Sequence, residues 1–532
     1  MGIFMQLINC AKDKNFYGSS LSCVTIAFLF IGLPLLLNKE WSVHNPTKLP
    51  IAGIEYPGYF SLVDARRKFV SNGFHILRDA YYKYHGKNFV IATKTYCKVV
   101  LMHDQVRERS NAPEDTISFS RGAAEQSRDP IRMLFFSGSK KFCKSLYSEI
   151  LMKVQSIGSM KEAILAETQF TLNTELPGFS TDEWVSVAIF PVALRIIARV
   201  SARAFISLPL CRNEDWLTIT ITFARDVSKA VDELAGVPKM IRPLYAYLWN
   251  PAKEVGSHKR KAESFLAPII RERLEEESLA EKNATDYQKP TDLLQWLLDR
   301  LERHHKTPEA LSLMLLQIGL ASIHSTALSV TNTMFDLSQH QECAQQIREE
   351  MEATISANGG VLDRTVLRKM RKTGSFFKEV IRRGSLSIAR SCMKNVTLSN
   401  GTYLPKGTII GAPSAMFATD PEYIEGPETF HGFRWYEKSL GVKHGEVNAN
   451  SCGTTPPNDL SFGHGRNALP GRFFAIEEMK TILTFILLQY DIKFPEGQSR
   501  PDNIYTGENS YPDLSRKLLF KKLLGPKKFP FL

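Results

Sequence analysis

The chain has 532 residues, of which 43% are hydrophobic, so it is long and apolar enough to bury a large core. Its net charge of +12, from 67 Lys+Arg against 55 Asp+Glu, is spread along the sequence, which is typical of solvated surface or of a face that attracts anionic lipid or an acidic partner protein. The sequence shows no zinc-ligand spacing, aromatic RNP-type strand or basic heptad region, which argues against nucleic acid as a partner.

An apolar segment near the N-terminus predicts a membrane anchor. Leu21–Leu37 is nearly all apolar and carries no charge. Its length is close to the roughly 20 residues that cross a bilayer core. A cleaved signal peptide is the alternative, but no small-residue cleavage site follows Leu37. We therefore predict a lumenal N-terminus at residues 1–20, a transmembrane anchor at 21–37, a proline-containing hinge at 38–55 and a globular domain at 56–532.

The basic residues around this segment predict its orientation. More Lys and Arg residues follow Leu37 than precede Leu21, and the positive-inside tendency then places the globular domain in the cytosol. The eight cysteines form no C-x-x-C pair and do not cluster. They are predicted to be reduced, mostly buried side chains, which agrees with a cytosol-facing domain.

The pattern after the hinge is mainly helical with a small β portion. Phe89–Leu101 is rich in β-branched and aromatic residues and predicts a strand or a hairpin. From Ser139 to Met351 the dominant period is helical. Turn pairs between Thr- and Val-rich stretches predict short strands within Val396–Ile410. The chain shows no internal repeat and no low-complexity segment.

Two of the predicted helices differ in how much of their surface is apolar. Lys261–Lys282 carries a single apolar stripe with Arg and Glu on the opposite face. Leu311–Leu337 is apolar nearly all round, which predicts a helix at the centre of the domain. The stripe of the first helix consists of Phe265, Ile269, Ile270 and Leu274.

Polar residues interrupt the central helix at Ala321–Thr326, which reads A-S-I-H-S-T. One interpretation is structural, since hydroxyl groups in a buried helix bond back to carbonyls one turn earlier. The other is chemical, because a histidine pKa near neutrality suits His324 to moving protons.

Two short motifs with arginine follow in the chain. Glu379 and Arg382 are three residues apart, so on a helix they share a face and can pair. An exposed ion pair is the ordinary outcome of such spacing. About fifty residues later comes Phe430–Trp435, which reads F-H-G-F-R-W and contains Arg434.

A loop rich in glycine and proline follows at Leu460–Ala475, with the sequence L-S-F-G-H-G-R-N-A-L-P-G-R-F-F-A. A nucleotide-binding loop is the alternative, but no βαβ pattern precedes this G-x-G. With the two arginine motifs before it, the loop resembles the heme-ligand loop of cytochromes P450, F-G-x-G-x-x-x-C-P-G. The matching residues are Phe462, Gly463, Gly465, Pro470 and Gly471, and Leu469 occupies the position of the family's cysteine.

The resemblance covers nearly the whole chain and implies a fold. This fold is mainly α with a small β portion, the cytochrome P450 fold, and one N-terminal transmembrane helix precedes it. The domain at 56–532 is then the catalytic domain. Glu379, Arg382 and Arg434 are expected to form a buried triad that braces the heme loop. The A-x-I-H-x-T pattern is similar to that of membrane-anchored fungal members that oxidise terpenoid-like secondary metabolites.

The resemblance also implies roles for residues of the site. Ala321 is expected to leave room for dioxygen, and His324, Ser325 and Thr326 are expected to be the catalytic residues that relay protons. Pro470 is expected at the first position of the following helix, and Arg466 is expected to pair with a heme propionate. The residues expected to bind the cofactor are Phe462, Gly463, Gly465, Arg466, Leu469, Gly471 and Arg390, and none is assigned as a metal ligand.

Partners and location are likewise implied by the family. The cofactor is heme, and electrons from NADPH arrive through NADPH-cytochrome P450 reductase. The expected location is the endoplasmic reticulum membrane, single-pass, with the catalytic domain cytosolic. A lipophilic small-molecule substrate is expected in a pocket formed by residues 112–131, 208–247 and 385–390. The family's W-x-x-x-R motif should fall near 132–144, where no tryptophan is present and two lysines are the substitutes.

Leu469 changes what the chemistry requires. An axial thiolate donates electron density to iron and favours cleavage of the O–O bond, and leucine has no lone pair to donate. Cys452 reaches the iron only if the loop is rebuilt, and the family register directs His464 elsewhere. Three hypotheses remain open. They are a membrane-anchored heme monooxygenase, a catalytically inactive relative, and a heme protein with altered ligation.

Overall fold

The computed structural model describes residues 47–54, 59–94, 96–119, 121–122, 160–176, 183–234, 237, 250–384, 389–441, 450–524 and 529–531. The predicted lumenal N-terminus, the anchor at 21–37 and most of the hinge at 38–55 lie outside these residues, as does the segment 132–144.

The described part of the chain is mainly helical, as predicted. Its α-helices are α1 (Tyr59–Lys83), α2 (His103–Arg109), α3 (Lys161–Glu175), α4 (Ile189–Ile206), α5 (Glu214–Leu234), α6 (Asn250–Asn283), α7 (Leu293–Arg300), α8 (Pro308–Gln339), α9 (Gln341–Ser356), α10 (Arg364–Lys369), α11 (Arg371–Arg382), α12 (Ser414–Phe417), α13 (Arg434–Lys438) and α14 (Arg472–Gln489).

The small β portion consists of short strands in four sheets. In the largest, the order is β1-β2-β8-β5-β3, with β2 and β8 parallel and the other neighbours antiparallel. The second has the order β4-β12-β9, and two hairpins, β6-β7 and β10-β11, stand apart. The strands are β1 (Phe89–Ala92), β2 (Cys97–Val100), β3 (Ile117–Ser118), β4 (Val185–Ala188), β5 (Arg390–Cys392), β6 (Val396–Thr397), β7 (Tyr403–Leu404), β8 (Ile409–Gly411), β9 (Tyr490–Lys493), β10 (Ile504–Thr506), β11 (Asn509–Tyr511) and β12 (Lys517–Lys522).

The predicted hairpin and short strands are confirmed. Phe89 on β1 pairs with Val100 on β2, and both residues are buried. β6, β7 and β8 lie within the region where turn pairs predicted short strands. β-Branched residues give these strands buried faces that pack into one apolar cluster with α1.

The central helix is α8, as predicted. Thr307 caps its start, since its Oγ1 accepts a hydrogen bond from the backbone N–H of Ala310 at 3.2 Å, and Pro308 occupies the first turn. The helix packs against α4, α5 and α6. Among the described residues it is the one helix long and apolar enough, by length and composition, to cross a membrane, and half of that stretch is buried within the protein.

The buried stripe of α6 differs from the predicted one. Ala262, Leu266 and Ile270 are fully buried, whereas Phe265, Ile269 and Leu274 only pack along the edge of the core. The stripe ends in a charged residue, because Arg273 is buried too.

A buried ion pair joins α6 to α7. Arg273 donates from Nη1 and Nη2 to the two carboxylate oxygens of Asp292 at 2.8 and 2.6 Å. Asp292 Oδ1 also accepts from the backbone N–H of Gln295 and so caps α7. Charged residues in a helical pattern are usually assigned to the solvent-facing side. The sequence pattern therefore placed Arg273 on the wrong face of α6.

Replacing Arg273 with alanine leaves the buried carboxylate of Asp292 unpaired, so we expect the free energy of unfolding to fall by about 3 to 5 kcal/mol. Arg271→Ala is the matched control, since its Nε bonds an exposed backbone carbonyl on the same helix. Its loss should stay within about 0.5 kcal/mol. Urea denaturation followed by circular dichroism measures both, and equal losses would contradict the role given to this pair.

Candidate functional site

A buried carboxylate joins the two arginine motifs. Glu379 and Arg382 lie one turn apart on α11, and Arg434 begins α13. Arg382 donates to the two carboxylate oxygens of Glu379 at 2.8 and 2.6 Å, and Arg434 Nε donates to one of them at 3.2 Å. The exposed fractions are 0% for Glu379, 1% for Arg382 and 7% for Arg434. The structure therefore brings together the three residues that the resemblance grouped.

Backbone carbonyls also accept hydrogen bonds from the guanidinium groups of this cluster. Arg382 Nη2 donates to the carbonyl of Pro427 at 2.9 Å, and Arg434 Nη2 donates to the carbonyl of Thr429 at 2.9 Å. Burial raises the pKa of Glu379, but the hydrogen bonds and charge of Arg382, together with the charge of Arg434, lower that pKa below its ordinary value. The carboxylate is therefore ionised at neutral pH and holds both cations.

The helix that carries Glu379 also contacts the chain leading into the glycine-rich loop. Lys378 Nζ lies 4.4 Å from the centroid of the Trp435 ring and donates to Thr454 Oγ1 at 3.4 Å. It also lies 3.8 Å from the carboxylate of Asp459. Asp459 in turn accepts a hydrogen bond from the backbone N–H of Ser461 at 3.1 Å. Continuous contacts thus run from α11 to the start of the loop.

The glycine-rich loop closes on itself through backbone hydrogen bonds. The N–H of Leu469 donates to the carbonyl of Phe462 at 2.8 Å, and the N–H of Gly463 donates to the carbonyl of Leu460 at 2.9 Å. A 3-10 turn at Gly465–Asn467 lies between them. Gly463 has a φ of +75°, a conformation that L side chains rarely adopt, so this turn requires glycine.

A second glycine of the loop lies directly against the end of α2. A Cβ added at Gly465 would lie 2.8 Å from Asn111 Oδ1 and 2.9 Å from Ser110 Cβ, so no side chain fits. The same Asn111 oxygen accepts from the backbone N–H of Arg466 at 3.2 Å. Arg466 itself is exposed.

The position expected for Pro470 is corrected by the structure. Helix α14 begins at Arg472 and Gly471 is its N-cap, so Pro470 precedes the cap and is not the first helical residue. The first turn is completed by the N–H of Ala475, which donates to the carbonyl of Gly471 at 3.0 Å. Proline still suits this place because the chain enters the helix from the closed loop without needing its N–H.

Leu469 presents an apolar side chain where the family pattern has a sulfur atom. Leu469 is 43% exposed, although backbone hydrogen bonds close the loop around it. Phe462 packs against the main core with part of its surface still accessible. The loop therefore offers carbon atoms and backbone groups, and no donor to a metal, at position 469.

The polar interruption of α8 is spread over several sides of the helix. Ala321 is exposed in the middle of an otherwise largely buried helix, and Ser325, one turn later, donates its Oγ hydrogen to the Ala321 carbonyl at 2.8 Å. Thr326 is buried. His324 Nε2 lies 2.9 Å from the carbonyl oxygen of Ile221 on α5. Ser325 thus bonds back one turn, as the structural interpretation expects, whereas His324 bonds to a carbonyl of another helix.

His324 is held in its neutral form by its surroundings. Burial lowers its pKa, and the hydrogen bond to the Ile221 carbonyl offsets this only in part. A carbonyl accepts and never donates, so Nε2 carries the proton of the neutral ring. Nδ1 is then the ring nitrogen with a free lone pair.

Two other potential donors, Cys452 and His464, lie near the loop in sequence. Cys452 is buried, and burial raises the pKa of its thiol to about 12, so it remains protonated at neutral pH. His464 Nδ1 lies 2.5 Å from the carbonyl of Thr455. Among the described residues, the only group of three possible metal ligands, Glu302, His304 and His305, lies on an exposed 3-10 turn before α8.

Arg390 on β5 is a cation with an unsatisfied buried nitrogen. Its Nε is buried and has no hydrogen-bond partner within the described part of the chain. Burial lowers the pKa of this guanidinium, and the charge of Glu114 only partly opposes the effect. A cationic donor with an unpartnered buried nitrogen fits an anionic ligand such as a carboxylate.

Only parts of the predicted pocket segments are described, namely 112–119, 121–122, 208–234, 237 and 389–390. The contact of Lys378 with Asp459 did not follow from the sequence patterns. The signal available was that Lys378 adjoins Glu379 while Trp435 adjoins Arg434, which places a cation and an aromatic ring beside the two charged partners.

Comparisons with known proteins agree with the resemblance to cytochromes P450. The family model for cytochrome P450 matches residues 81–520. The chain is 35% identical over 450 residues to cytochrome P450 monooxygenase AN1598 of Emericella nidulans, covering 84% of this chain and 82% of that protein. It is 33% identical to cytochrome P450 monooxygenase BOA4 of Botryotinia fuckeliana, covering 82% and 86% of the two chains. It is also 29% identical to ent-kaurene oxidase P450-4 of Gibberella fujikuroi, covering 90% and 94%.

Glu379→Gln removes the charge that two buried guanidinium groups face, so we expect a loss of about 3 to 5 kcal/mol in the free energy of unfolding at pH 7. Since the pKa of Glu379 is lowered on folding, its contribution is complete above its ordinary pKa of 4.5 and is lost as the pH falls through the folded-state value. The difference between the two proteins should therefore shrink on acidification. Denaturation from pH 7 down to about pH 3 tests this, because the loss falls below the ordinary pKa, and exposed Glu281→Gln is the control. A difference that stays constant over this whole range would contradict it.

Proposed function

The chain belongs to the cytochrome P450 family, and we propose that its site is that of a fungal monooxygenase oxidising a lipophilic, terpenoid-like secondary metabolite. The observation that carries the proposal is similarity to fungal cytochrome P450 monooxygenases over most of both chains, one of them an ent-kaurene oxidase. The buried cluster of Glu379, Arg382 and Arg434 supports it, because this cluster is the family's brace for the heme loop.

The described residues fit one part of the family's cofactor and not another. Arg390, with its unpartnered buried nitrogen, fits a carboxylate of the porphyrin, and Phe462, Leu469 and Ala321 offer apolar surface to a macrocycle. When bound, heme supplies the iron centre for oxygen chemistry. Leu469 supplies no axial donor to that iron, so the thiolate on which the family's chemistry depends does not fit this loop.

The residues of α8 have distinct parts in the proposed site. Ala321 leaves open space beside the helix, and Ser325 places a hydroxyl one turn away. His324, neutral with its Nε2–H bound to Ile221, holds the lone pair on Nδ1, which is the atom that accepts a proton in a relay with Ser325 and Thr326. The same hydrogen bond holds α5 against α8, so His324 also positions the helix on that side of the site.

Partners and location follow from the same proposal. The electron donor is NADPH-cytochrome P450 reductase, and the positive net charge suits a partner with an acidic face. The apolar segment Leu21–Leu37 supports a single anchor in the endoplasmic reticulum membrane with residues 56–532 in the cytosol.

A second candidate function is favoured by a specific observation. Leu469 has no lone pair, and Cys452, which lies nearest to it among the cysteines in sequence, is a buried thiol with its pKa raised to about 12. This combination favours a catalytically inactive relative that keeps the fold and ligand site, or a heme protein with altered ligation. The carbon-monoxide difference spectrum of the reduced protein separates the candidates, because only a thiolate ligand gives the family's red-shifted Soret band.

Leu469→Cys restores a sulfur atom at the family's ligand position. We expect the variant to show the thiolate-type Soret band when it is reduced and bound to carbon monoxide and, without carbon monoxide, to consume NADPH with the reductase. The inactive candidate predicts that the natural chain does neither. Leu469→Ser is the matched control, since serine has nearly the size of cysteine and lacks the sulfur. A thiolate-type band in the natural chain would refute the inactive candidate, and its absence from Leu469→Cys would refute the assignment of position 469.

Deletion of residues 1–37 tests the anchor. The full chain should remain in the membrane fraction after extraction with alkaline carbonate, whereas the truncated chain should be released, because about 17 apolar residues no longer hold it in the bilayer. Replacing Leu29 and Leu33 with lysine should release the full-length chain in the same way. Retention of both altered proteins after carbonate treatment would contradict the proposed single anchor.

A further inference from the structure

We propose that this site binds porphyrins without regard to the metal they carry, so that metal-free protoporphyrin IX binds about as tightly as heme. The inference rests on the proposed function, because it concerns the same site. In a site with an axial ligand, a bond between the protein and iron adds to the affinity for heme alone. Without that bond, the affinity comes from the porphyrin ring and its side chains.

Position 469 of the loop carries a hydrocarbon side chain. Leu469 is held by two backbone contacts, since its N–H donates to the carbonyl of Phe462 and its carbonyl accepts from Arg472 Nη1 at 3.0 Å. Its exposed part is therefore the hydrocarbon side chain. A hydrocarbon contacts a porphyrin face equally well whether or not the ring holds a metal.

Cys452 and His464 are the other side chains near the loop in sequence that carry a possible donor to iron. Cys452 lies behind the start of α14, where the carbonyl of the next residue, Gly453, accepts from Arg472 Nε at 2.9 Å. Lys378 and Lys480 lower the pKa of this thiol less than burial raises it, so no thiolate forms there. His464 Nδ1 donates to the carbonyl of Thr455, which ties its ring to the segment preceding the loop and leaves the lone pair on Nε2, the atom that the His464→Ala variant tests.

Arg390 and two apolar residues remain as sources of affinity for a porphyrin. Arg390 contributes a half-buried guanidinium whose buried Nε has no partner within the described chain, and this group recognises a carboxylate. Ala321 and Leu469 contribute exposed apolar surface on α8 and on the loop. Carboxylate pairing and apolar burial are both properties of the porphyrin ring system and its side chains, and neither involves the central metal.

The test is a binding titration of the full chain, purified without added heme precursor, with hemin, zinc protoporphyrin IX and metal-free protoporphyrin IX. We expect saturable binding of one porphyrin per chain, with the three dissociation constants within about threefold of one another. Leu469→Cys should tighten hemin by at least about tenfold and leave the metal-free ligand unchanged, since a sulfur–iron bond is added for one ligand only. Leu469→Ser should change neither.

The role of the carboxylates is tested on both the ligand and the protein. Protoporphyrin IX dimethyl ester keeps the ring and loses both charges, so it should bind the natural chain at least about tenfold more weakly than the free acid. Arg390→Gln should weaken the free acid by a similar factor and leave the ester unchanged. Arg303→Gln, on the exposed 3-10 turn, removes the same charge elsewhere and should have no effect.

Three outcomes would overturn the inference, and they differ in what they leave standing. Preference for hemin over the metal-free ligand by tenfold or more, abolished in His464→Ala, would show a hidden donor and leave heme binding intact. Failure to bind any porphyrin would overturn the inference together with the proposed heme site. Non-saturable uptake of acid and ester alike would show surface adsorption only.

Discussion

The buried carboxylate of Glu379 is the interaction on which the rest of the structure around the site depends. It receives hydrogen bonds from Arg382 on its own helix and from Arg434 on another. Each guanidinium also donates to backbone carbonyls of the intervening loop. A single carboxylate in the interior therefore fixes two helices and a loop at once, and its removal leaves two guanidinium charges uncompensated in a medium that cannot solvate them.

A series of contacts connects this cluster to the glycine-rich loop without involving position 469. Lys378, beside Glu379, contacts Trp435 and Asp459, and Asp459 holds the loop entry through Ser461. Inside the loop, backbone hydrogen bonds and two glycines with positive φ set its shape. The side chain of residue 469 enters none of these contacts. The frame of the site and the chemistry expected of it are therefore supported by different residues.

Much of the fold is predictable from the sequence because local patterns and tertiary packing agree. The β1–β2 hairpin, α8 and the pairing on α11 follow from β-branched residues, continuous apolar character and i,i+3 spacing. The patterns failed where a long-range partner decides the outcome. Arg273 is buried because Asp292, 19 residues later, is there to neutralise it. His324 lies against α5 because the Ile221 carbonyl accepts a hydrogen bond from its Nε2–H. Neither partner is visible from local periodicity.

The close approach of Gly465 to Asn111 has a consequence for how this sequence tolerates change. That glycine is confined by neighbouring atoms, and most substitutions there would damage folding itself. Leu469, four residues later, meets no such confinement, so a lineage can exchange the residue there while its protein continues to fold and escape degradation. Purifying selection for foldability protects the glycines and arginines regardless of turnover, whereas only selection for the reaction would protect a cysteine. The signature motifs of a lineage can therefore outlast the activity for which they are usually taken as a marker.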